Sequence, residues 1–180
     1  GFQENPIHLS KVIEIQGQKI GYLMYNGFID SFDDELTNVF VNFQNENIDE
    51  LIVDFRYNPG GRVSSAIHIA SMITGQFVGR VFAQRLFNKK LESENSTYTF
   101  EDTSVKLNMT EVHIITSSRT ASASELVING LDPYIDVVVI GDKTVGKNVA
   151  SITVKDWIDD DLNVNPNHKW AMQPIILKIA

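Results

Sequence analysis

Leu51–Phe55, Val112–Thr116 and Asp136–Ile140 are short, largely apolar runs, and the segments between them repeat their apolar residues at helical spacing. Runs this short and this uniformly apolar read as strands buried on both faces, while a period near 3.6 reads as helices packed over them. Strand and helix therefore alternate along the chain. That alternation restricts the fold to the α/β class, with a mostly parallel sheet and flanking helices, and places ligands beyond the carboxyl ends of the strands.

The rest of the chain fits around this frame. Val12–Gln16 and Lys19–Asn26, rich in β-branched and aromatic residues and split by Gly17-Gln18, read as a hairpin. Ser31 followed by Asp34 resembles a capping box, and Phe32, Leu36, Val39, Phe40 and Phe43 predict a helix to about Asn45. Asn58-Pro59-Gly60-Gly61 closes the Leu51–Phe55 strand with a tight turn. A helix carrying Val63, Ile67, Ala70, Ser71 and Ile73 follows, with Gly75 as its stop. Arg80–Phe87 reads as a strand, and Lys89–Leu107, polar and without period, as a surface excursion. Ser122–Leu131 is helix-like. The tail predicts strands at Val149–Lys155 and Trp170–Ile179 around an acidic turn at Asp159-Asp160-Asp161.

At 180 residues, 43% hydrophobic and 21% charged, the chain is sized for one domain, 1–180, able to bury its own core. A net charge of -8 without a basic cluster argues against a phosphate-backbone partner, so no nucleic acid is expected. No apolar stretch approaches the roughly 18 to 20 residues that cross a bilayer. The chain lacks an initiator Met and a signal peptide, and it reads as a fragment of a longer chain. Membrane contact is thus expected only through missing segments. With no cysteine, disulfides, thiolate metal sites and cysteine nucleophiles are excluded.

Thr120-Ala121-Ser122-Ala123-Ser124-Glu125 stands between a buried strand and an amphipathic helix. A serine at such a turn presents its hydroxyl outward, next to helix N–H groups that have no internal partner and can hold an oxyanion. Ser122 or Ser124 serving only as a helix cap is the plainer reading. Gly60-Gly61 permits positive φ and close backbone approach, as either an oxyanion site or an ordinary turn requires. Gly141–Lys147 fits the first seven positions of a phosphate-cradling G-x-x-x-x-G-K loop. Asn148 then replaces the required hydroxyl residue, and a β-branched run follows where a helix must open, so no nucleotide is expected. His8, His68, His113 and His168 lack metal-ligand spacing, and none stands on the loops of interest.

Taken in order, Asp54-Phe55-Arg56-Tyr57-Asn58-Pro59-Gly60-Gly61, then Thr120–Glu125, then Gly141 with Thr144-Val145-Gly146-Lys147, resemble the carboxyl-terminal processing (tail-specific) serine peptidases. The interval from Ser122 to Lys147 also matches, and the resemblance runs from about Gly21 to Ile179. It implies a crotonase-like or Clp-protease-like core and hydrolysis of peptide bonds near protein tails. It further implies Ser122 as nucleophile, Lys147 as general base and the backbone amides of Ala123 and of Gly60 or Gly61 as oxyanion donors. No metal or other cofactor is implied, partners are protein or peptide substrates, and the setting is the cell envelope, periplasm or exterior. Lys147 would need burial beside Val145 and Val149 to stay neutral enough to accept a proton. Many relatives carry a glutamine four residues after the lysine, where this chain has Ser151 as the possible orienting group. The peptide-binding PDZ domain usual in relatives does not fit before Gly21. Both departures keep open a second reading, a catalytically inactive peptide-binding module on the same fold.

Overall fold

The computed structural model describes residues 3–180, which form two compact units. The first comprises the chain up to Ala83 together with Thr97–Lys147, and the second comprises Gln84–Ser96 and Asn148–Ala180.

The first unit is built on a five-stranded sheet. Strands β1 (Ile7–Ile15) and β2 (Gln18–Tyr25) form the hairpin, turning at Gln16 and Gly17, where φ is 53° and 83°. Two consecutive left-handed residues make the tight turn whose twist matches a hairpin, so the turn lies one residue earlier than Gly17-Gln18 suggested. Strands β3 (Glu50–Asp54), β6 (Glu111–Thr116) and β7 (Asp136–Gly141) continue the sheet in the order β1-β2-β3-β6-β7, with every pairing after the first parallel. The mostly parallel α/β architecture expected from the alternation is the one observed.

Helices α1 (Asp33–Glu46), α2 (Val63–Thr74) and α3 (Ala123–Leu131) supply the apolar surface that the sheet needs. The capping box expected at Ser31 does not form. The chain enters α1 through a 3-10 turn at Asp30–Phe32, so Phe32 becomes the N-cap and offers no side-chain hydrogen bond. Asp33, Asp34 and Glu35 still place negative charge at the helix's positive end. Leu36, Phe40 and Phe43 of α1 and Leu23, Leu51, Val53, Val112 and Ile114 of the sheet are fully buried. Each such side chain contributes about 1.5 to 3 kcal/mol relative to exposure. Gly75, at φ 70°, ends α2 where expected.

Lys89–Leu107 is more than a surface excursion. It holds a 3-10 turn at Lys89–Glu94 and β5 (Ser96–Thr99), and it buries Phe100 and Val105. Phe100 packs among Phe77, Phe82 and Tyr134 in an aromatic cluster. Two isolated apolar residues in a polar stretch carry no period, so only tertiary packing reveals them.

In the second unit, β11 (Ile175–Ile179) pairs antiparallel with β8 (Val149–Ser151) and with residues 85–87 of β4 (Val81–Phe87). Each of the two tail strands read from sequence is broken in two. Ile152 and Thr153 separate β8 from β9 (Val154–Lys155), and Gln173-Pro174 separates β10 (Ala171–Met172) from β11. Proline cannot donate to a ladder, which accounts for the second break. Among the described residues no helix is long and apolar enough to cross a membrane.

Candidate active site

Because β3 and β6 are parallel neighbours, the loops that leave their carboxyl ends lie side by side. Asn58, fully buried, stitches them together. Its side-chain N–H donates to the Tyr25 carbonyl at 2.9 Å, its Oδ1 accepts from Gly60 N–H at 2.9 Å, and its own carbonyl accepts from Ala121 N–H and the Ser124 hydroxyl. The Thr120 hydroxyl donates to the Phe55 carbonyl at 2.8 Å, and Ser117 Oγ donates to the Arg56 carbonyl. Asp54, at 0% exposure, anchors the same corner by accepting from the Arg56 guanidinium and, at 2.7 Å, from Tyr22 Oη. Burial pushes the Asp54 carboxyl up, but the bonds from Arg56 and Tyr22 outweigh it and hold the group below the usual carboxylate range.

Ser122 is the N-cap of α3, with φ 58° and ψ -115°. An ordinary N-cap residue is extended, and a capping role does not call for positive φ. A non-glycine residue in this region costs on the order of 1 to 3 kcal/mol and persists only where its surroundings enforce it. Gly60 is one enforcing neighbour. At φ 102° it lies so close that an added β-carbon would be 2.7 Å from Ser122 Cβ and 2.8 Å from both the Ala121 oxygen and the Ala123 nitrogen.

The two glycines are not equivalent as donors. Gly60 N–H is engaged by Asn58, whereas Gly61 N–H and Ala123 N–H donate no hydrogen bond among the described residues. Gly61 is held at φ 146° by a parallel bridge to Phe28, whose carbonyl would be 2.2 Å from an added β-carbon. Ala123, the first residue of α3, has a free amide because helix N-termini lack internal partners.

Sequence reasoning assigned no role to Glu125, which is 6% exposed. Its Oε2 accepts from Ser122 N–H at 2.7 Å and from Lys147 N–H at 2.9 Å, while its Oε1 accepts from Gly146 N–H. Burial pushes this carboxyl up, yet hydrogen bonding from Thr144 and from the amides of Gly146, Ser122 and Lys147 outweighs it and holds the group below the usual range. The S-x-x-E spacing of a capping box was the available signal. It foretold only the bond to Ser122.

Through Glu125 the backbones at Ser122 and Lys147 share one carboxylate. The burial expected for Lys147 is not observed, however: Lys147 is exposed and Val145 is 58% exposed. The segment 142–148 is a surface loop outside helix and strand. Ser151, also exposed, belongs to β8 of the second unit. The G-x-x-x-x-G-K stretch runs on into that strand, as its β-branched sequence suggested, whereas a phosphate loop opens a helix. Of the histidines, His68 lies in α2 and shares a hydrogen bond with Thr37 Oγ1 at 2.8 Å, and His113 lies in β6. No group of three potential metal ligands occurs among the described residues.

This arrangement has close parallels among known proteins. The "Probable CtpA-like serine protease" of Staphylococcus saprophyticus is 26% identical over 168 residues, covering 93% of this chain and 33% of that protein. The chain thus spans about a third of the length of that curated relative. Among solved structures, one named for the S41 proteases from Bacteroides fragilis superposes with a TM-score of 0.87 at 28% identity. It covers 99% of this chain and 46% of that one. The photosystem II D1 C-terminal processing protease gives a TM-score of 0.67 at 16% identity over 90% of this chain and 38% of its own, a likeness of fold. Residues 19–163, which hold β2 through the Lys147 loop and on to β9, match the domain described as Peptidase family S41, and the chain belongs to that family.

Proposed function

We propose that this chain carries the catalytic centre of a serine endopeptidase, with Ser122 as nucleophile and Lys147 as general base, acting on protein substrates near their carboxyl-terminal tails. The observation that supports this most is the backbone of Ser122, held at φ 58° against Gly60 at a strand-to-helix turn, where a capping serine needs no such strain. In this reading a neutral Lys147 amine takes the proton from Ser122 Oγ as that oxygen attacks the peptide carbonyl. The tetrahedral oxyanion accepts hydrogen bonds from Ala123 N–H and Gly61 N–H, neither of which donates a hydrogen bond among the described residues. Lys147 returns the proton to the leaving amine, the carbonyl re-forms, and water then cleaves the acyl-enzyme. The exposed lysine becomes a base once the substrate chain covers it and excludes water, since desolvation disfavours the ammonium form. An exported or envelope setting belongs to the same reading and rests on family resemblance.

Incubating the chain with an unfolded protein, and separately with a serine-directed acylating probe, tests the proposal. Cleavage and a covalent adduct at Ser122, both lost in Ser122→Ala, are expected. Cleavage unchanged by that substitution would remove Ser122 from the chemistry. The exposure of Lys147 favours one second reading, a peptide-binding module without catalysis. That reading predicts saturable peptide binding with no adduct at any pH.

A further inference from the structure

Glu125 begins as an ordinary feature. In a capping box the third helical residue turns back and accepts the N-cap N–H, which satisfies one orphan donor. Glu125 does this for Ser122. The same carboxylate also accepts from Gly146 and Lys147, which lie beyond α3 and β7 in the sequence and on a loop of their own. A helix cap has no use for those two bonds.

Their effect follows from geometry. Ser122 N–H fixes the peptide plane that enters the strained residue, and Lys147 N–H fixes the backbone from which the amine is projected. One nearly buried side chain therefore sets the register between the two loops, each of which lies on the surface in part. The loop at 142–148 has few other anchors. Val145 N–H donates to the Thr120 carbonyl at 3.0 Å, Asp142 N–H donates to the Thr116 carbonyl at 3.3 Å, the Thr116 hydroxyl donates to the Asp142 carbonyl at 2.9 Å, and the Thr144 side chain bonds to Glu125 itself. Gly146 itself, at φ 82°, meets nothing within 4 Å of where a β-carbon would be, so packing does not hold it. The two amide bonds to Glu125 take that task.

We propose that Glu125 is the positioning residue of the Ser122–Lys147 pair, a role that rests on the endopeptidase reading above. It touches no substrate atom, and it acts by holding both backbones to one carboxylate. Because its three backbone donors are amides, and the Thr144 side chain bonds to the same carboxylate, the function needs a group that can accept at both oxygens. Glutamine has the same size but presents N–H donors on one of its two positions, so an amide would face an amide.

The test compares Glu125→Gln and Glu125→Asp with the unaltered chain by two readouts. The first is amide hydrogen exchange at Ser122, Gly146 and Lys147. Glu125→Gln, which keeps one acceptor oxygen, is expected to deprotect Gly146 or Lys147 of the far loop and not Ser122 alone, with the β3 and β6 amides unchanged. The second is the rate of acylation of Ser122 against pH. Displacement of reacting groups by about 1 Å can cost on the order of a hundredfold, which is the loss expected for Glu125→Gln. The pH limb that reports the base is expected to move upward, because a released loop carries the amine out from under the bound probe. Glu125→Asp keeps the acceptors but withdraws them by about one C–C bond, roughly 1.5 Å, and should recover part of the rate.

Acylation of Glu125→Gln at the unaltered rate and pH dependence would overturn the proposal, as would deprotection confined to Ser122. A loss of rate matched by a loss of folded fraction, with the pH limb unmoved, would reduce Glu125 to a structural cap and overturn it equally. If the unaltered chain does not react with the probe at all, the endopeptidase reading fails and the positioning role falls with it. A reactive unaltered chain with an indifferent Glu125→Gln variant removes this inference alone.

Discussion

Gly60 Cα and Ser122 Cβ are packed so closely that a single methyl group on the glycine would stand 2.7 Å from the serine β-carbon. The glycine turn after β3 and the serine turn after β6 are therefore one packed unit, and each limits what the other can be.

Gly60→Ala should be severe for two separate reasons. The added carbon would meet backbone atoms of Ala121 and Ala123 at 2.8 Å, and φ 102° is strained for any residue with a β-carbon. We expect a destabilisation of about 2 kcal/mol or more in urea unfolding, together with loss of acylation at Ser122. A variant of unaltered stability would show that the two turns are not in contact.

Replacing Ser122 separates strain from chemistry. Both Ser122→Ala and Ser122→Gly remove the hydroxyl and should abolish cleavage. Glycine tolerates φ 58° and ψ -115° and alanine does not, so Ser122→Gly should be the more stable of the two by about 1 kcal/mol. Equal midpoints in denaturant would mean that the backbone at residue 122 is relaxed.

Lys147→Arg keeps a positive charge but supplies a guanidinium that does not deprotonate in proteins. As a general base it should fail, with a loss of about two to four orders of magnitude in kcat/KM. A solvated surface lysine would tolerate the change, leaving both stability and cleavage as they were.

The depressed Glu125 carboxyl fixes the sign of a pH effect. A carboxyl whose folded-state pKa lies below its unfolded value contributes stability above the unfolded value, and that stability is lost as pH falls through the folded one. The gap in unfolding free energy between the unaltered chain and Glu125→Gln should be constant above about pH 5 and should close progressively in more acid solution. Urea titrations at several pH values measure it, and a gap that widened toward acid would reverse the assignment.

The fold was largely legible because local patterns and burial agree in its central strands. Leu51, Val53, Val112 and Ile114 are apolar in sequence and fully buried in the sheet. The pattern failed where a single residue mattered. Phe100 lies in a polar stretch, and its burial depends on aromatic rings at Phe77, Phe82 and Tyr134 that are distant in sequence. Pro174 shows the converse, since a known breaker was present inside the last predicted strand and divides it.

The sequence alone determined the kinds of group available at this site: a serine before a helix, a glycine pair in a turn, a lysine beyond the last of the three apolar central strands. Those follow from residue chemistry and nearest neighbours. Only the tertiary structure decided that Gly60 N–H is committed to Asn58 while Gly61 N–H is not, that Glu125 serves both loops, and that the lysine is exposed. Hydrogen-bond partnership and solvent access depend on which segments the parallel sheet brings side by side, and no local pattern along the chain carries that information.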